Sequence, residues 1–470
     1  MDYIIIFIIV ILTLYSICFG IHYKKEKISY SFDRITDRRI NSDKDFVIPR
    51  NIIQSFSSRY VTEGMRKNID SWMEMNREYS YTYFDEEEMV KFIEDHYPKE
   101  YVKTFYKINA GAGRADFFRY LYLYKNGGVW IDVTIVPYIP LRELIREDTE
   151  MALVHDVECD NIYNAFMGFP PGHELLKNCI KKCMNNVNEE KFRSLGKNCI
   201  YHTTGPEMMM REYDDYIKNN SSEKSIMMKK SLSLSGNITK IIKEFDTYNC
   251  FYISLYDKKI MKTKFDRAKE NLEFVSKKKH YKKIGFFNNN TKFIDGMLEV
   301  RELSRKIVND KEITLLIKSS SNLDSIKNFE KCLEVEKLLE ICNIIIIDDF
   351  SENEELIDTY KELLKMGVQV KINSIRREDF FLLESLSSIP ESSEKILLME
   401  RENYIKKSEL EKILRENDGE KMKVQKYFDQ LCIYFDHSML DHISNLSEKS
   451  IVSSSSIEME FENSATTTSH

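Results

Sequence analysis

The segment AGAGRADFFRYLYLYKNGGVWIDVTIVPYIP, residues 110–140, decides the fold of this 470-residue chain. Residues 110–126 are predicted to be a helix, and Gly127-Gly128 allows a sharp turn where a side chain would clash. The predicted strand that follows, 128–136, carries a single carboxylate, Asp132. Many α/β enzymes place an acid after a buried strand to meet a phosphate-linked ligand or its metal ion. The segment therefore predicts an α/β fold with a ligand site at Asp132.

Two charged residues of the predicted helix are spaced to act with Asp132. Asp116 and Arg119 are three residues apart, so a helix presents them on one face. A helix of about four turns and a returning strand can bring both near Asp132. Carboxylates there can hold a divalent cation or a ribose hydroxyl, and Arg119 can bind a phosphate or a sugar hydroxyl. By chemistry alone, a structural Asp116–Arg119 ion pair is an equally good interpretation.

Composition limits the class of protein. Hydrophobic residues make up 42% of the chain, which excludes global disorder. The net charge of −7 argues against a nucleic-acid-binding protein. The nine cysteines include no CxxC pair, which favours free thiols in a reducing compartment.

The N-terminus contains an uncharged apolar run, Tyr3 to Ile21, of about 19 residues, which is long enough to cross a bilayer. A cleaved signal peptide is the alternative, but the run has no preceding Lys or Arg and no Ala-x-Ala site after it. We therefore predict a single-pass membrane anchor. The basic residues that follow the run favour a cytosolic location for the rest of the chain.

Alternating strand and helix patterns predict two α/β units, the second starting near residue 311. The predicted domain organisation is anchor 1–22, stalk 23–45, first domain 46–290, linker 291–310, second domain 311–447 and a disordered Ser/Thr-rich tail 448–470.

Residues 114–132, RADFFRYLYLYKNGGVWID, resemble the sugar-binding block of DXD-type glycosyltransferases, and most closely that of glycosyltransferase family 32. Four further blocks resemble the same family in the same order. They are VIPRNIIQSF at 47–56, Ser71-Trp72 with Asn76, NAFMGFPPGHELL at 164–176, and Thr204-Gly205-Pro206. The resemblance covers about 160 residues.

The resemblance implies a GT-A fold, which is Rossmann-like, with a UDP- or GDP-sugar donor and retention of anomeric configuration. It also implies a divalent cation, Mn²⁺ first and Mg²⁺ as the alternative. A metal ion helps because charge grows on the leaving nucleoside diphosphate. The donor-site residues that it implies are Phe56, which would stack on the base, Asp116, Arg119, Asp132 and Asn164.

The metal ligands implied by the resemblance are Asp132, Thr134 and His280. The second acid of the DXD motif is replaced by Thr134, a poorer metal ligand, although capsular-polysaccharide relatives also read Asp-x-Thr here. His280 lies in a segment that matches the family only loosely, and a solvated surface histidine is the simpler interpretation.

The second unit resembles the layout of glycosyltransferase family 2. Asp348 and Asp349 match its nucleotide-binding strand end, while Glu400 and Glu402 stand where a second DXD is expected. A degenerate GT-A-like domain is predicted, with an unrelated flavodoxin-like or Rossmann-like unit as the alternative. No GxGxxG or P-loop motif is present.

These observations predict a membrane-anchored glycosyltransferase that moves a hexose from a nucleotide sugar to a glycan or glycoprotein acceptor. One alternative is an inactive glycan-binding or scaffolding protein, with Thr134 as the lesion. Another is a bifunctional enzyme in which both domains transfer sugars.

Overall fold

The computed structural model describes most of the chain between residues 46 and 436. The described ranges are 32–34, 46–57, 59–220, 225–231, 252–255, 258–262, 285–319, 322–348, 351–373, 389–390, 392–399, 406–416, 422–427 and 430–436. The predicted anchor 1–22 and tail 448–470 lie outside these ranges. Across the ranges that are described, every helix is too short or too polar to cross a bilayer.

Helices and strands alternate along much of the described chain, as the sequence predicts. The helices are α1 (Glu63–Met75), α2 (Glu86–His96), α3 (Lys99–Lys107), α4 (Gly111–Asn126), α5 (Glu174–Asn188), α6 (Cys199–Thr203), α7 (Pro206–Asn219), α8 (Thr291–Ser304), α9 (Leu323–Glu336), α10 (Glu355–Met366) and α11 (Lys407–Glu416). The strands up to residue 262 are β1 (Phe32–Arg34), β2 (Asn51–Ser55), β3 (Tyr60–Thr62), β4 (Ser80–Phe84), β5 (Gly128–Ile131), β6 (Val136–Pro137), β7 (Met151–Asp156), β8 (Asn161–Ile162), β9 (Phe166–Phe169), β10 (Ser225–Ser231), β11 (Tyr252–Leu255) and β12 (Lys258–Lys262). The later strands are β13 (Ile313–Lys318), β14 (Asn343–Asp348), β15 (Gln369–Ile372), β16 (Lys395–Met399), β17 (Met422–Tyr427) and β18 (Gln430–Asp436).

The first sheet has the order β4-β2-β5-β9-β7-β10-β11-β12-β6, with β8 paired to β7. Strand β2 is parallel to both β4 and β5, and β10 is parallel to β7. Strand β9 runs antiparallel between β5 and β7. The carboxyl ends of β2, β5, β7 and β10 therefore meet at one edge of the sheet, which we call the first edge. The predicted α/β class is confirmed, in a mixed rather than purely parallel sheet.

The turn between α4 and β5 needs both of its glycines. Gly127 has φ 67° and its N–H donates to the carbonyl of Leu123 at 2.8 Å. Gly128 has φ 111°, and a Cβ there would lie 2.8 Å from the carbonyl oxygen of Asn51 on β2. Only glycine fits where the left-handed backbone conformation coincides with such close strand packing.

Strand β5 is shorter than predicted, because it ends at Ile131 instead of residue 136. The backbone N–H of Asp132 donates to the carbonyl of Ala165 at 2.8 Å, and that of Ile135 donates to the carbonyl of Asp132 at 3.0 Å. The chain thus turns immediately after Asp132. This turn leaves the carboxylate at the first edge instead of inside a continuing strand.

The second sheet has the order β15-β14-β13-β16-β18-β17. Strands β13, β14, β15 and β16 are parallel, and β18 pairs antiparallel with β16 and β17. Strands and helices alternate here, as the sequence predicts for the chain after residue 311. The independence of this sheet as a second domain stays a prediction.

The range predicted as a linker, 291–310, is not a plain linker because it contains α8. Its side chains Phe293, Ile294, Met297 and Val300 are buried in a core cluster that reaches both sheets. The sequence already holds the apolar spacing of an amphipathic helix there. Arg301 on α8 lies 3.2 Å from Glu87 on α2 and donates to the carbonyl of Ile372 on β15 at 2.9 Å. Helix α8 therefore joins the elements around the first sheet to the second sheet.

Candidate active site at the first edge

Asp132 lies at the first edge with one carboxylate oxygen fixed and the other open. Its Oδ1 accepts a hydrogen bond from the indole Nε1 of Trp130 at 2.9 Å and lies 3.3 Å from Arg119 Nη2. Its Oδ2 accepts no hydrogen bond from a side chain of the described residues. The side chain is 36% exposed. Trp130 and Arg119 therefore fix the orientation of the Asp132 side chain and leave Oδ2 facing outward.

Arg119 connects Asp132 to the interior. Its Nη2 lies 3.2 Å from Asp116 Oδ1 as well as 3.3 Å from Asp132 Oδ1, and its Nη1 donates to the carbonyl of Asn164. The guanidinium carbon lies 5.0 Å from the ring centroid of Trp130. Burial by itself lowers the pKa of Arg119, but the carboxylates of Asp132 and Asp116 outweigh it and raise that pKa. Arg119 is a permanent cation held between two acids.

Asp116 is the buried member of the group, on the inner face of α4. Its Oδ1 accepts from Asn164 Nδ2 at 3.0 Å, and its Oδ2 accepts from Thr204 Oγ1 at 3.1 Å. Burial is the main reason that the pKa of Asp116 rises to about 7. Arg119 opposes this rise, Asp132 adds to it, and the two neutral hydrogen bonds oppose it. Both oxygens of Asp116 are thus engaged within the protein.

The structure brings Asp116, Arg119, Asp132 and Asn164 together, four of the residues for which the sequence predicts donor binding. The motif partner Arg114, by contrast, is buried elsewhere. It forms an ion pair with Glu86 on α2 and donates from Nε to the carbonyl of Ile108 at 2.5 Å. The arginine of the Arg-Ala-Asp triplet therefore holds helices together.

Phe56 and Thr134 lie near the same edge but outside this hydrogen-bonded group. Phe56 directly follows β2 and donates its backbone N–H to the carbonyl of Phe84 at 3.1 Å. Because β2 and β5 are parallel neighbours, Phe56 and Asp132 follow strand ends on the same side of the sheet. Thr134 is half-buried in the turn after Asp132. His280 lies outside the described residues.

Several contributors were not singled out from the sequence. Trp130 orients Asp132, because its indole reaches the carboxylate that follows the end of β5. Thr204 belongs to the Thr-Gly-Pro block, which carried no predicted role. Tyr120 receives a hydrogen bond from Asn164 Nδ2 at 3.2 Å. The alternation of β5 could have identified Trp130, whereas Thr204 lies 88 residues from Asp116 and needed the fold.

A second ion pair lies at the first edge, between the buried Asp156 at the end of β7 and the half-buried Lys230 on β10. The Lys230 ammonium lies 4.6 Å from the ring centroid of Tyr163. Burial is the main cause of a raised pKa at Tyr163, and Asp132 also raises it. Because β7 and β10 end at the first edge, this ion pair lies at the same edge of the sheet as Asp132.

The second predicted site has a different geometry. Asp348, at the end of β14, is fully buried. Its carboxylate accepts from the Ser351 N–H at 2.7 Å, from Ser351 Oγ at 2.7 Å and from the Tyr360 hydroxyl at 2.6 Å. Asp349, Glu400 and Glu402 lie outside the described residues. The part of this predicted site that is described is closed on itself.

Residues 62–151 match the family described as "Glycosyltransferase sugar-binding region containing DXD motif". Asp116, Arg119, Asp132 and Thr134 all fall within this range. Residues 62–151 are a DXD-type glycosyltransferase region. The predicted resemblance is thereby confirmed for the part of the chain that carries Asp132.

Curated relatives agree with the glycosyltransferase region. Inositol phosphoceramide mannosyltransferase 3 of Schizosaccharomyces pombe is 27% identical over 191 residues, which cover 40% of this chain and 50% of the relative. Mannosyl phosphorylinositol ceramide synthase SUR1 of Saccharomyces cerevisiae is 24% identical over 213 residues, covering 41% and 52%. The chain spans about half the length of these relatives.

Among solved structures, the PaToxG glycosyltransferase matches with 14% identity and a TM-score of 0.29, covering 37% of this chain and 71% of that one. The apo-form glycosyltransferase GlyE of Streptococcus pneumoniae TIGR4 matches with 10% identity and a TM-score of 0.29, covering 72% and 83%.

Proposed function

We propose that this chain is a glycosyltransferase that moves a hexose from a nucleotide-sugar donor to a hydroxyl group of a glycan acceptor. The observation that carries the proposal is Asp132, which lies inside the glycosyltransferase region with Oδ1 fixed by Trp130 and Arg119 and Oδ2 open. A preoriented carboxylate at a strand end suits a site that would hold a divalent cation next to a departing phosphate.

The chain's own residues supply binding and orientation. Arg119 keeps a positive charge next to Asp132, which favours an anionic ligand at the first edge. Phe56 follows the neighbouring parallel strand and is proposed to stack on the donor base. Asp116 and Asn164 are proposed to hold Arg119 in place from behind.

A divalent cation is part of the proposal, with Mn²⁺ preferred to Mg²⁺. Asp132 Oδ2 and the Thr134 hydroxyl are hard oxygen ligands of the kind that these ions take. The described residues contain no group of three or more His, Cys, Asp or Glu arranged to hold a metal ion. When bound, such an ion would neutralise charge on the leaving nucleoside diphosphate.

Mannose is the proposed hexose, because the two yeast relatives are named for mannose transfer. Retention of anomeric configuration is proposed on the resemblance to family 32. The N-terminal apolar run of residues 3–21 is proposed to anchor the enzyme, with its domains on the cytosolic side.

The deciding experiment is a donor-turnover assay with purified full-length protein, Mn²⁺ and a panel of GDP- and UDP-hexoses that includes GDP-mannose. We expect hydrolysis or transfer with one donor, lost on EDTA treatment and lost in Asp132→Ala. Proton NMR of the product then reports the anomer. No turnover of any donor, together with no nucleotide-dependent thermal shift, would support the inactive glycan-binding alternative, in which Thr134 replaces the acid that binding needs.

A further inference from the structure

The buried carboxylate of Asp116 is part of a closed ring of hydrogen bonds. Asn164 Nδ2 donates to Asp116 Oδ1 at 3.0 Å and to the Tyr120 hydroxyl at 3.2 Å. The Tyr120 hydroxyl donates to the Thr204 carbonyl at 2.9 Å, and Thr204 Oγ1 donates to Asp116 Oδ2 at 3.1 Å. All four residues are buried. The ring joins α4, the segment before β9, and the turn between α6 and α7.

The turn that supplies Thr204 is itself held from several directions. The Thr204 N–H donates to the carbonyl of Ile200 at 3.2 Å, and Asn186 on α5 donates to the carbonyl of Thr203 at 3.1 Å. A Cβ at Gly205 would lie 3.0 Å from the Ile200 carbonyl oxygen and 3.4 Å from Asp116 Oδ2. The turn therefore packs against Asp116, and a side chain at position 205 would crowd the Ile200 carbonyl.

We propose that Thr204 is a positioning residue for sugar transfer: its hydroxyl fixes Asp116, which orients Arg119 towards Asp132. The path follows atoms in contact, since Asp116 Oδ1 lies 3.2 Å from Arg119 Nη2 and the same nitrogen lies 3.3 Å from Asp132 Oδ1. The inference rests on the proposed function. It gives the Thr-Gly-Pro block a role at the first edge.

Ionisation supports the same reading. The Thr204 and Asn164 hydrogen bonds favour the charged form of Asp116, against burial, which raises its pKa to about 7. The other groups that act on this carboxylate are Arg119, which lowers its pKa, and Asp132, which raises it. Burial raises the pKa values of Tyr120 and Cys183 well above the ordinary range, and the charge of Asp116 raises them further. Both side chains therefore stay neutral. Thr204 thus helps to keep Asp116 ionised near neutral pH.

The chain offers a matched control in Thr203. This neighbour is equally buried, but its hydroxyl donates to the Cys199 carbonyl at 2.7 Å instead of to Asp116. Thr204→Val and Thr203→Val both replace a buried hydroxyl by a methyl group, at adjacent positions where α6 ends. Thr204→Ser keeps the hydroxyl and serves as the rescue variant.

We expect Thr204→Val to lower kcat by about tenfold or more, with a smaller change in KM. Its acid limb in the pH profile of kcat/KM should move to higher pH, because one stabilising bond to the ionised carboxylate is lost. Thr203→Val should keep kcat within about twofold and leave the limb in place, and Thr204→Ser should restore most of the activity. Equal losses in the two valine variants, or an unmoved acid limb in Thr204→Val, would overturn the proposal.

A measurement of thermal unfolding against pH tests the same role without turnover. The folded-state pKa of Asp116, about 7, lies above the unfolded value of about 3.9, so the stability that this group contributes at low pH is lost as pH rises through 7. Thr204→Val raises the folded pKa further, so this loss continues above pH 7. The Tm deficit of Thr204→Val relative to wild type should therefore grow between pH 6 and pH 8.5, whereas that of Thr203→Val should stay constant. A pH-independent deficit in Thr204→Val would refute the link to Asp116. An inactive wild type with a growing deficit would refute only the proposed function.

Discussion

The two sheets differ in the surroundings of the acid at the end of a strand. Asp132, after β5, keeps one oxygen open because its partners, Trp130 and Arg119, both approach Oδ1. Asp348, at the end of β14, is fully buried, with its carboxylate closed by Ser351 and Tyr360. A carboxylate at the end of a parallel strand is thus not enough to make a ligand site. What matters is whether local side chains leave an oxygen free.

The largest effect should come from neutralising the open acid. Asp132→Asn should lower donor turnover by about 10²- to 10³-fold, because it removes the charge that faces the departing phosphate and its cation. Steady-state kinetics with the preferred donor measures this. The comparison fails if Asp348→Asn, the matched change at the second sheet, produces the larger loss of turnover.

The reverse ranking should hold for stability. Asp348→Asn should lower the free energy of unfolding by about 2 to 3 kcal/mol. The amide has only one acceptor oxygen, so it cannot accept all three of the buried hydrogen bonds that the carboxylate accepts. Asp132→Asn, at a partly exposed side chain, should cost less than about 1 kcal/mol. Urea unfolding of both variants measures the two losses of unfolding free energy. A stable Asp348→Asn protein with altered nucleotide binding would point to the bifunctional alternative.

Restoring the second acid of the DXD motif should strengthen metal binding at the first edge. Thr134→Asp should tighten the apparent Mn²⁺ affinity by about tenfold in the presence of nucleotide, because a carboxylate is a stronger ligand than a hydroxyl. Thr134→Val is the control and should weaken it. Titration of turnover against Mn²⁺ gives both affinities. Identical curves for the wild type and the two variants would show that Thr134 is not a metal ligand.

The smallest predicted effect concerns the residue that orients Asp132. Trp130→Phe should lower kcat by about three- to tenfold, because it removes the indole hydrogen bond to Oδ1 while keeping an aromatic ring. Trp72→Phe is the matched control, since its indole donates at 2.6 Å to the backbone carbonyl of Ile135, in the turn after Asp132, and not to the Asp132 carboxylate. Equal kinetic losses in both variants would mean that the effect is general destabilisation.

Local patterns predicted the elements around Asp132 well. The helix ending before Gly127, the turn, and the acid after an apolar strand follow from glycine conformation and periodicity, which are properties of adjacent residues. Two details were not predicted. Strand β5 was predicted too long because the turn after Asp132 depends on Ala165, a partner 33 residues away. Helix α8 was assigned to a linker although its apolar spacing was present in the sequence.

The sequence by itself determined the α/β class, the positions of most of the elements predicted around the glycine turn, and the identity of Asp116, Arg119 and Asp132 as a group. Helical spacing and strand-end placement are enough for that. Only the tertiary structure decided that Asp116 faces inward to Thr204, that Trp130 leaves Asp132 with one open oxygen, and that Asp348 is closed. The first outcome depends on a hydrogen bond between residues that are 88 positions apart. The other two involve partners closer in sequence, whose side-chain geometry only the folded chain fixes, because a buried polar group takes whichever partner packing brings to it.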